Sequence, residues 1–320
     1  NASGSSASDL YVNGIRVGIG AGGRQNVAIG LQALNVNTYS GYFNVAVGGR
    51  ALYSNTTGIN NTAIGQFALM STVSTPGNTA VGSSALCSNT SGYNTAVGAF
   101  ALGLNTSGNN NVAVGFRATQ NNTTGNCNVA IGVNSLQYNT TGNCNIAMGV
   151  NALKDNTTGC DNVAIGYNAA SCYIGGNTIA IGREALGIST ANGIAIGFKA
   201  LKSNTTGGNN LAIGASTLCL NDTGGNNLAI GNTALQRNSA GDCNVAIGQS
   251  ALSYNTTASC NVAIGKAALQ LNLTGNCNTA VGHCTLQRNT TGAANVALGE
   301  QALKNNSIGT GNVALGSVAL

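Results

Sequence analysis

A short apolar phrase that closes on a glycine recurs 18 times along these 320 residues, from Asn26-Val27-Ala28-Ile29-Gly30 to the copy ending at Gly316. With the closing glycine as position zero, the copies lie 17 residues apart, except for an 18 at the start, a 16 before Gly98, and a 16 then a 15 leading to Gly182 and Gly197. The consensus is N-V-A-I-G-x-x-A-L-x-x-N-T-T-G-x-N. A unit this short cannot bury its apolar side alone. It must stack on its neighbours, which is the signature of a solenoid.

A chain of this length would otherwise be divided into two domains, but a repeat removes that inference and predicts one elongated body. Only 6% of residues are charged, against roughly a quarter in an average globular chain, so the surface is neutral amide and hydroxyl. The 43% of hydrophobic residues fall in register, which argues against a disordered low-complexity segment. The net charge of +5 is scattered singly and forms no basic patch for nucleic acid. No apolar run approaches the 18 or more residues that cross a membrane. The chain opens on Asn1 rather than Met, which predicts a removed leader or a fragment.

Residues 1–25 read as a lead-in: a small polar stretch to Ser8, then alternation from Leu10 to Val17 around Asn13-Gly14 that suits a short strand or hairpin. Gly18-Ile19-Gly20-Ala21-Gly22-Gly23 matches the dinucleotide fingerprint in letters only. It lacks the following helix and the acidic residue that the fingerprint needs.

Residues 26–320 form the repeat domain. Two glycines, a turn-forming Asn-Thr-Thr-Gly and several β-branched residues make each unit a poor helix. Val-Ala-Ile reads as a short strand, Ala-Leu as a second apolar contact, and Asn-Thr-Thr-Gly as a turn whose glycine supplies positive φ. The expected fold is all-β, a parallel β-solenoid or β-roll of about 18 rungs, stacked at about 4.8 Å into a rod roughly 85 Å long.

Two before the anchor glycine, every copy carries Ala; one before it, Ile, Val, Leu or Met. Neighbouring strand residues face opposite sides, so one of these columns lines the coil. The expectation is that Val27 and Ile29 build the core. The small column, Ala28, Ala130, Ala164 and Ala246 with Gly30, Gly132, Gly166 and Gly248, is then an assembly stripe held thin against another chain or another wall of the same coil. On the former reading, Ala130→Leu blocks assembly. Asn occurs four before the glycine in 16 copies and seven after it in 14 of the 17 that reach that far. Stacked, these amides should bond to one another and to the turn backbone of the next rung. Between about 167 and 197 the spacing shortens, and Thr178 and Gly193 replace the ladder Asn, which predicts a local defect. Leu320 stops mid-rung, so the chain is expected to continue or to meet another molecule there.

The chemistry of the chain is sparse. Cys127, Cys144, Cys243, Cys260 and Cys277 all sit five before an anchor glycine, so they stack on one edge, while Cys87 and Cys219 share another phase. Stacked Cα atoms about 4.8 Å apart fall inside the disulfide range. Either disulfides or small apolar fillers account for this ladder, and the run 243–260–277 leaves at least one thiol over. With no C-x-x-C and a single His, His283, no metal site is expected. The seven acids never share a phase on neighbouring rungs, which leaves a glycosidase pair unsupported, and the calcium-binding nonapeptide lacks its Asp. No G-x-S-x-G is present and nucleophilic catalysis finds no candidate, so neither an enzyme nor a cofactor is expected. Sequons such as Asn55, Asn89, Asn105, Asn122, Asn139, Asn156, Asn204, Asn255 and Asn289 are by-products of the turn, open to glycosylation if the producing cell performs it. Paired Thr beside a turn glycine argue against an ice-binding face.

Asn-Val-Ala-Ile-Gly-x-x-Ala, as at Asn128–Gly132 and Asn162–Gly166, resembles the head repeat of trimeric autotransporter adhesins of the YadA type. The longer unit with Ala-Leu-x-x-Asn-Thr-Thr-Gly, as at Ala51–Gly58 and Ala152–Gly159, is similar to repeat regions of phage tail-fibre and other virion fibre proteins. The resemblance implies a left-handed β-roll, a homotrimer, and a place outside the cell on a virion or cell surface. The expected function is the rigid shaft of a fibre or adhesin that supports attachment, with itself and a cell-surface glycan or receptor as partners. The alternatives are a filament subunit joined head to tail through its uncapped ends and a carbohydrate-active tailspike.

Overall fold

The computed structural model describes residues 10–12, 15–18, 25–38 and 40–320, with side chains described from residue 25 onward. The polar lead-in to Ser8 and the glycine run 19–23 lie outside the described residues. The described residues are strands, turns and bends without helix, as a parallel β-solenoid requires. The chain divides into two compact units, Asn1–Asn162 and Val163–Leu320.

In the first unit β1 (Leu10–Val12) and β2 (Ile15–Gly18) pair antiparallel, and β2 pairs antiparallel with β3 (Val27–Ile29). From β3 to β10 (Ile146–Met148) each rung contributes one strand, parallel to the next and in register: Ala28 faces Ala46, and Ala113 faces Ala130. The second unit repeats the scheme from β11 (Val163–Ile165) to β20 (Val313–Leu315), with Ala164 opposite Ala180 and Ala297 opposite Ala314. Rung-to-rung hydrogen bonds also continue around the turns, as in Leu52 N–H to Ala68 O (3.0 Å), Ser54 N–H to Met70 O (3.0 Å) and Thr56 N–H to Val73 O (2.8 Å). Strands of three residues suffice because the whole coil, not the strand, is the bonded unit.

The core lies on the opposite side of the strand from the one expected. Ala28, Ala130, Ala164 and Ala246 are fully buried, together with the Ala and Leu three and four after the glycine, such as Ala51 and Leu52. The Val and Ile on either side point outward: Val27 is 44% exposed and Ile131 37%. Alternation dictates that Ala and Ile face apart but is silent on which faces in. The coil is narrow, and opposite walls that leave room only for Ala, Leu and amides exclude a row of Ile. The small column therefore lies against another wall of its own coil and not against another chain. Ala130→Leu would disturb folding before it touched assembly.

The anchor glycines are small for a different reason. Gly132 has φ +136°, a region closed to L side chains, and a Cβ there would sit 2.6 Å from the carbonyl oxygen of Gly149 on the next rung. Gly248 repeats this against Gly265, with φ +130° and 2.6 Å. The turn glycine of Asn-Thr-Thr-Gly differs from expectation, because it takes no positive φ. At Gly224, in the variant Asn-Asp-Thr-Gly, a Cβ would approach Gly241 O to 2.5 Å, Asn238 Nδ2 to 2.6 Å and Asn221 Oδ1 to 2.8 Å, so crowding favours glycine there, although Ala258 fills the same phase on its own rung. Positive φ falls instead on three other positions of the rung, as at Asn134 (54°), Leu136 (50°) and Cys144 (56°).

The amide ladders form as expected. Asn128 donates its N–H to Asn111 Oδ1 (2.9 Å) and its Nδ2 to Asn111 Oδ1 (3.2 Å) and Gly142 O (2.8 Å). In the second ladder Asn139 donates to Asn122 Oδ1 (2.8 Å) and to Gly142 O (3.0 Å). Both Asn are fully buried. The repeat itself supplies the partners of these amides, which is what allows polar side chains in a core this thin; the oxygens of Asn55 and Asn156, whose next-rung neighbours are Thr72 and Tyr173, are the ones left without a donor among the described residues.

The irregular zone perturbs the ladders and spares the strands. Ala164, Ala180, Ala195 and Ala212 stay in register across both shortened spacings. Tyr173 takes the place of a ladder Asn, fully buried, and donates its hydroxyl to Gly176 O (2.8 Å). Ser189 takes the next place and accepts Asn204 Nδ2 at 3.1 Å.

Candidate functional site

The outward residues of the strands form two apolar columns on the surface of each unit. One before the glycine every residue is Val, Ile, Leu or Met, and three before it every residue is Val, Ile or Leu except Thr62, Thr79, Thr95 and Thr279. No charge interrupts either column. Ile29, Ile64, Val97, Ile131, Ile146 and Met148 in the first unit, and Ile165, Ile264 and Leu298 in the second, are each more than a third exposed. With two such residues per rung, each showing on the order of 50 Å², six rungs reach about 600 Å², the upper end of the roughly 300–600 Å² of the largest patch on an ordinary monomer.

The cysteine ladder is exposed at all five positions, and the ten cysteines are free thiols. Cys127 and Cys144 are neighbours on successive rungs, as are Cys260 and Cys277. Desolvation, then the neighbouring Cys127 and Asp161, pushes the Cys144 thiol up; desolvation, then Cys277 and Cys243, does the same at Cys260. Cys160, one residue out of the ladder phase, is near enough to add to the rise at Cys144, and its sulfur accepts Asn143 N–H at 3.3 Å. Cys87 and Cys219 are half-buried, and burial raises both thiols.

A trio not foreseen from sequence occurs in the second unit. Cys284 Sγ lies 3.2 Å from His283 Nε2, and His283 Nδ1 lies 3.4 Å from Glu300 Oε1. This is the order of nucleophile, base and orienting carboxylate. The adjacent amides are engaged, Cys284 N–H on Lys266 O (2.9 Å) and Gln301 N–H on His283 O (2.9 Å), so neither offers an oxyanion donor. The signal was present in the sequence: Glu300 stands one repeat after His283, and Cys284 is its chain neighbour. Comparing acids only with acids missed it.

Two grooves open where the residue five after the anchor is glycine. Beside Gly103 a recess of about 190 Å³ is lined by Ser84, Phe100, Leu104 and Gln120. Beside Gly187, at the irregular zone, one of about 260 Å³ is lined by Cys172, Glu184, Ile188 and Lys202. There Lys202 Nζ bonds Glu184 Oε2 at 2.7 Å, and Arg183 Nε lies 3.3 Å from Oε1. The Lys202 hydrogen bond is the main cause that holds the Glu184 carboxyl below its ordinary range.

The sequon asparagines named above, from Asn55 to Asn289, are buried ladder residues. At Asn139 and Asn289 the amide nitrogen donates twice, so the folded coil leaves it no room for a glycan. The threonine beside the sequon Asn is engaged too: Thr106, Thr123 and Thr140 each donate the hydroxyl to the next rung's carbonyl at 2.9–3.0 Å. Among the described residues no group of three His, Cys, Asp or Glu is placed to hold a metal, and no helix is long and apolar enough to cross a membrane. No protein-family model matches the chain, and no curated protein matches it at a significant level.

Proposed function

We propose that this chain is a structural protein whose copies pack side by side into the rigid shaft of a fibre, outside the cell, of the surface-adhesin or virion tail-fibre kind. The observation that carries the reading is the uncharged Val/Ile columns, which leave an apolar sheet face open along each unit. A partner that covers such a face over many rungs must repeat at the rung spacing. A second copy of this chain does, rung for rung. Trimeric symmetry, attachment to a host surface and a glycan or receptor as ligand follow the resemblance to adhesin and tail-fibre repeats, and the grooves beside Gly103 and Gly187 are recesses that a small surface ligand would enter.

The test is the mass of the purified chain in solution, by light scattering with and without cross-linker. The reading expects a multiple of 31.6 kDa, three for a trimer, and a return to 31.6 kDa in the outward variants Ile131→Asp and Ile247→Asp, with the β circular dichroism unchanged. A wild-type monomer would overturn it.

A further inference from the structure

The two cysteine runs on the ladder edge differ in parity. Cys127 and Cys144 are a pair, whereas Cys243, Cys260 and Cys277 occupy three successive rungs, all exposed. Within the triplet the backbone repeats itself: φ is 56°, 60° and 58°, and the three amides donate to Gly225 O, Asp242 O and Ser259 O, each at 3.0–3.1 Å. Each cysteine therefore stands over the last in the same conformation. Successive Cα atoms are about 4.8 Å apart, inside the roughly 4.4–6.8 Å that a disulfide spans, while Cys243 and Cys277, two rungs apart at about 9.6 Å, are outside it. Cys260 can close with either neighbour. The neighbours cannot close with each other.

We propose that Cys243, Cys260 and Cys277 form a redox site that holds one disulfide shared between two alternative pairs, with a low-molecular-weight disulfide as its oxidant. In the first step the thiolate of one cysteine attacks a sulfur of the oxidant and releases one small thiolate. An adjacent ladder thiolate then displaces the second small thiol, so two protein thiols lose their protons and two electrons and the oxidant leaves as two thiols. If Cys243–Cys260 has formed, Cys277 attacks Cys260 Sγ, makes Cys260–Cys277 and frees the Cys243 thiolate; the number of disulfides does not change. The pair 127–144 has no third cysteine in its own phase, because Asp161 stands on the next rung. The triplet always keeps one thiol beside its disulfide, where it exchanges within the run or takes up a small thiol as a mixed disulfide. This inference is independent of the fibre reading, since every bond lies within one chain.

The experiment uses the full chain, incubated with oxidised glutathione at neutral pH, quenched with N-ethylmaleimide and digested without reductant; cleavage after Tyr254 and Leu269 separates the three cysteines. The expected result is Cys243–Cys260 and Cys260–Cys277 peptides in one sample, one unpaired or glutathionylated cysteine per triplet, and Cys127–Cys144 as the internal control. Cys260→Ser removes both linkages, and Cys243→Ser keeps only Cys260–Cys277. A Cys243–Cys277 link, a single linkage at every time point, links between chains, or no link in the triplet would each overturn the proposal.

Discussion

At the residue scale the rung is a set of positions with different reasons to be small or polar. Ala130 is small because it faces the opposite wall, and Ala130→Leu overpacks the coil. The expected loss is about 1–3 kcal/mol, read as a lower urea midpoint, whereas the outward Ile131→Leu leaves the midpoint unchanged. Asn139 is polar because its amide bridges rungs: Asn122 Oδ1 and Gly142 O accept from it, and Asn156 donates to it at 3.3 Å. Asn139→Leu leaves Asn122 Oδ1 unmatched and takes one acceptor from Asn156, while Gly142 O keeps Asn128 at 2.8 Å, and should destabilise by about 1–3 kcal/mol. The converse test lies at Thr72, which stands in the Asn ladder and gives its hydroxyl to Asn89 O at 3.1 Å. Asn55 Oδ1 is left buried without a partner. Thr72→Asn supplies the missing donor and should raise the midpoint by about 1 kcal/mol equivalent; a fall would mean that this turn resists the standard geometry.

At the element scale the turns absorb variation that the strands do not. Both shortened spacings in the second unit leave Ala164, Ala180 and Ala195 in register, and the change appears as a buried Tyr173 and a groove beside Gly187. Amide exchange should be fastest in the turns at 172–176 and 187–191, where ladder amides are replaced. The Lys202–Glu184 contact makes this zone pH-sensitive. Glu184 titrates below its ordinary 4.5, so the stabilisation is complete above that value and fades as pH falls through the lowered one. Local exchange near Gly187 should accelerate on acidification, and Lys202→Met should weaken the dependence, with Arg183 at 3.3 Å from Glu184 retaining the remainder.

For the whole molecule, the expected association surface is apolar and nearly chargeless. Screening therefore has nothing to act on, and the oligomer mass should be the same at about 0.05 M and 1 M salt. Urea below the unfolding midpoint should weaken it instead. An assembly that dissolves with salt would point to the scattered Lys and Arg, not to Ile131 and Ile247.

Much of this was legible in the repeat. A unit of 17 residues with one Val-Ala-Ile and a closing glycine admits a parallel solenoid and little else, and Asn at two fixed phases implies amide ladders. Phase arithmetic also placed Cys243, Cys260 and Cys277 on one edge. What it left open were questions that periodicity treats as symmetric. Whether Ala28 or Ile29 faces inward depends on the distance between walls of the coil, which no single strand contains. Whether a glycine answers to φ, as at Gly132, or to a neighbour's amide, as at Gly224, depends on the next rung's atoms. The meeting of His283 with Glu300, by contrast, follows from their shared phase on successive rungs. The rung and its repetition are local and can be read from the residues alone; inside and outside are not, because they are set by what stands across the coil.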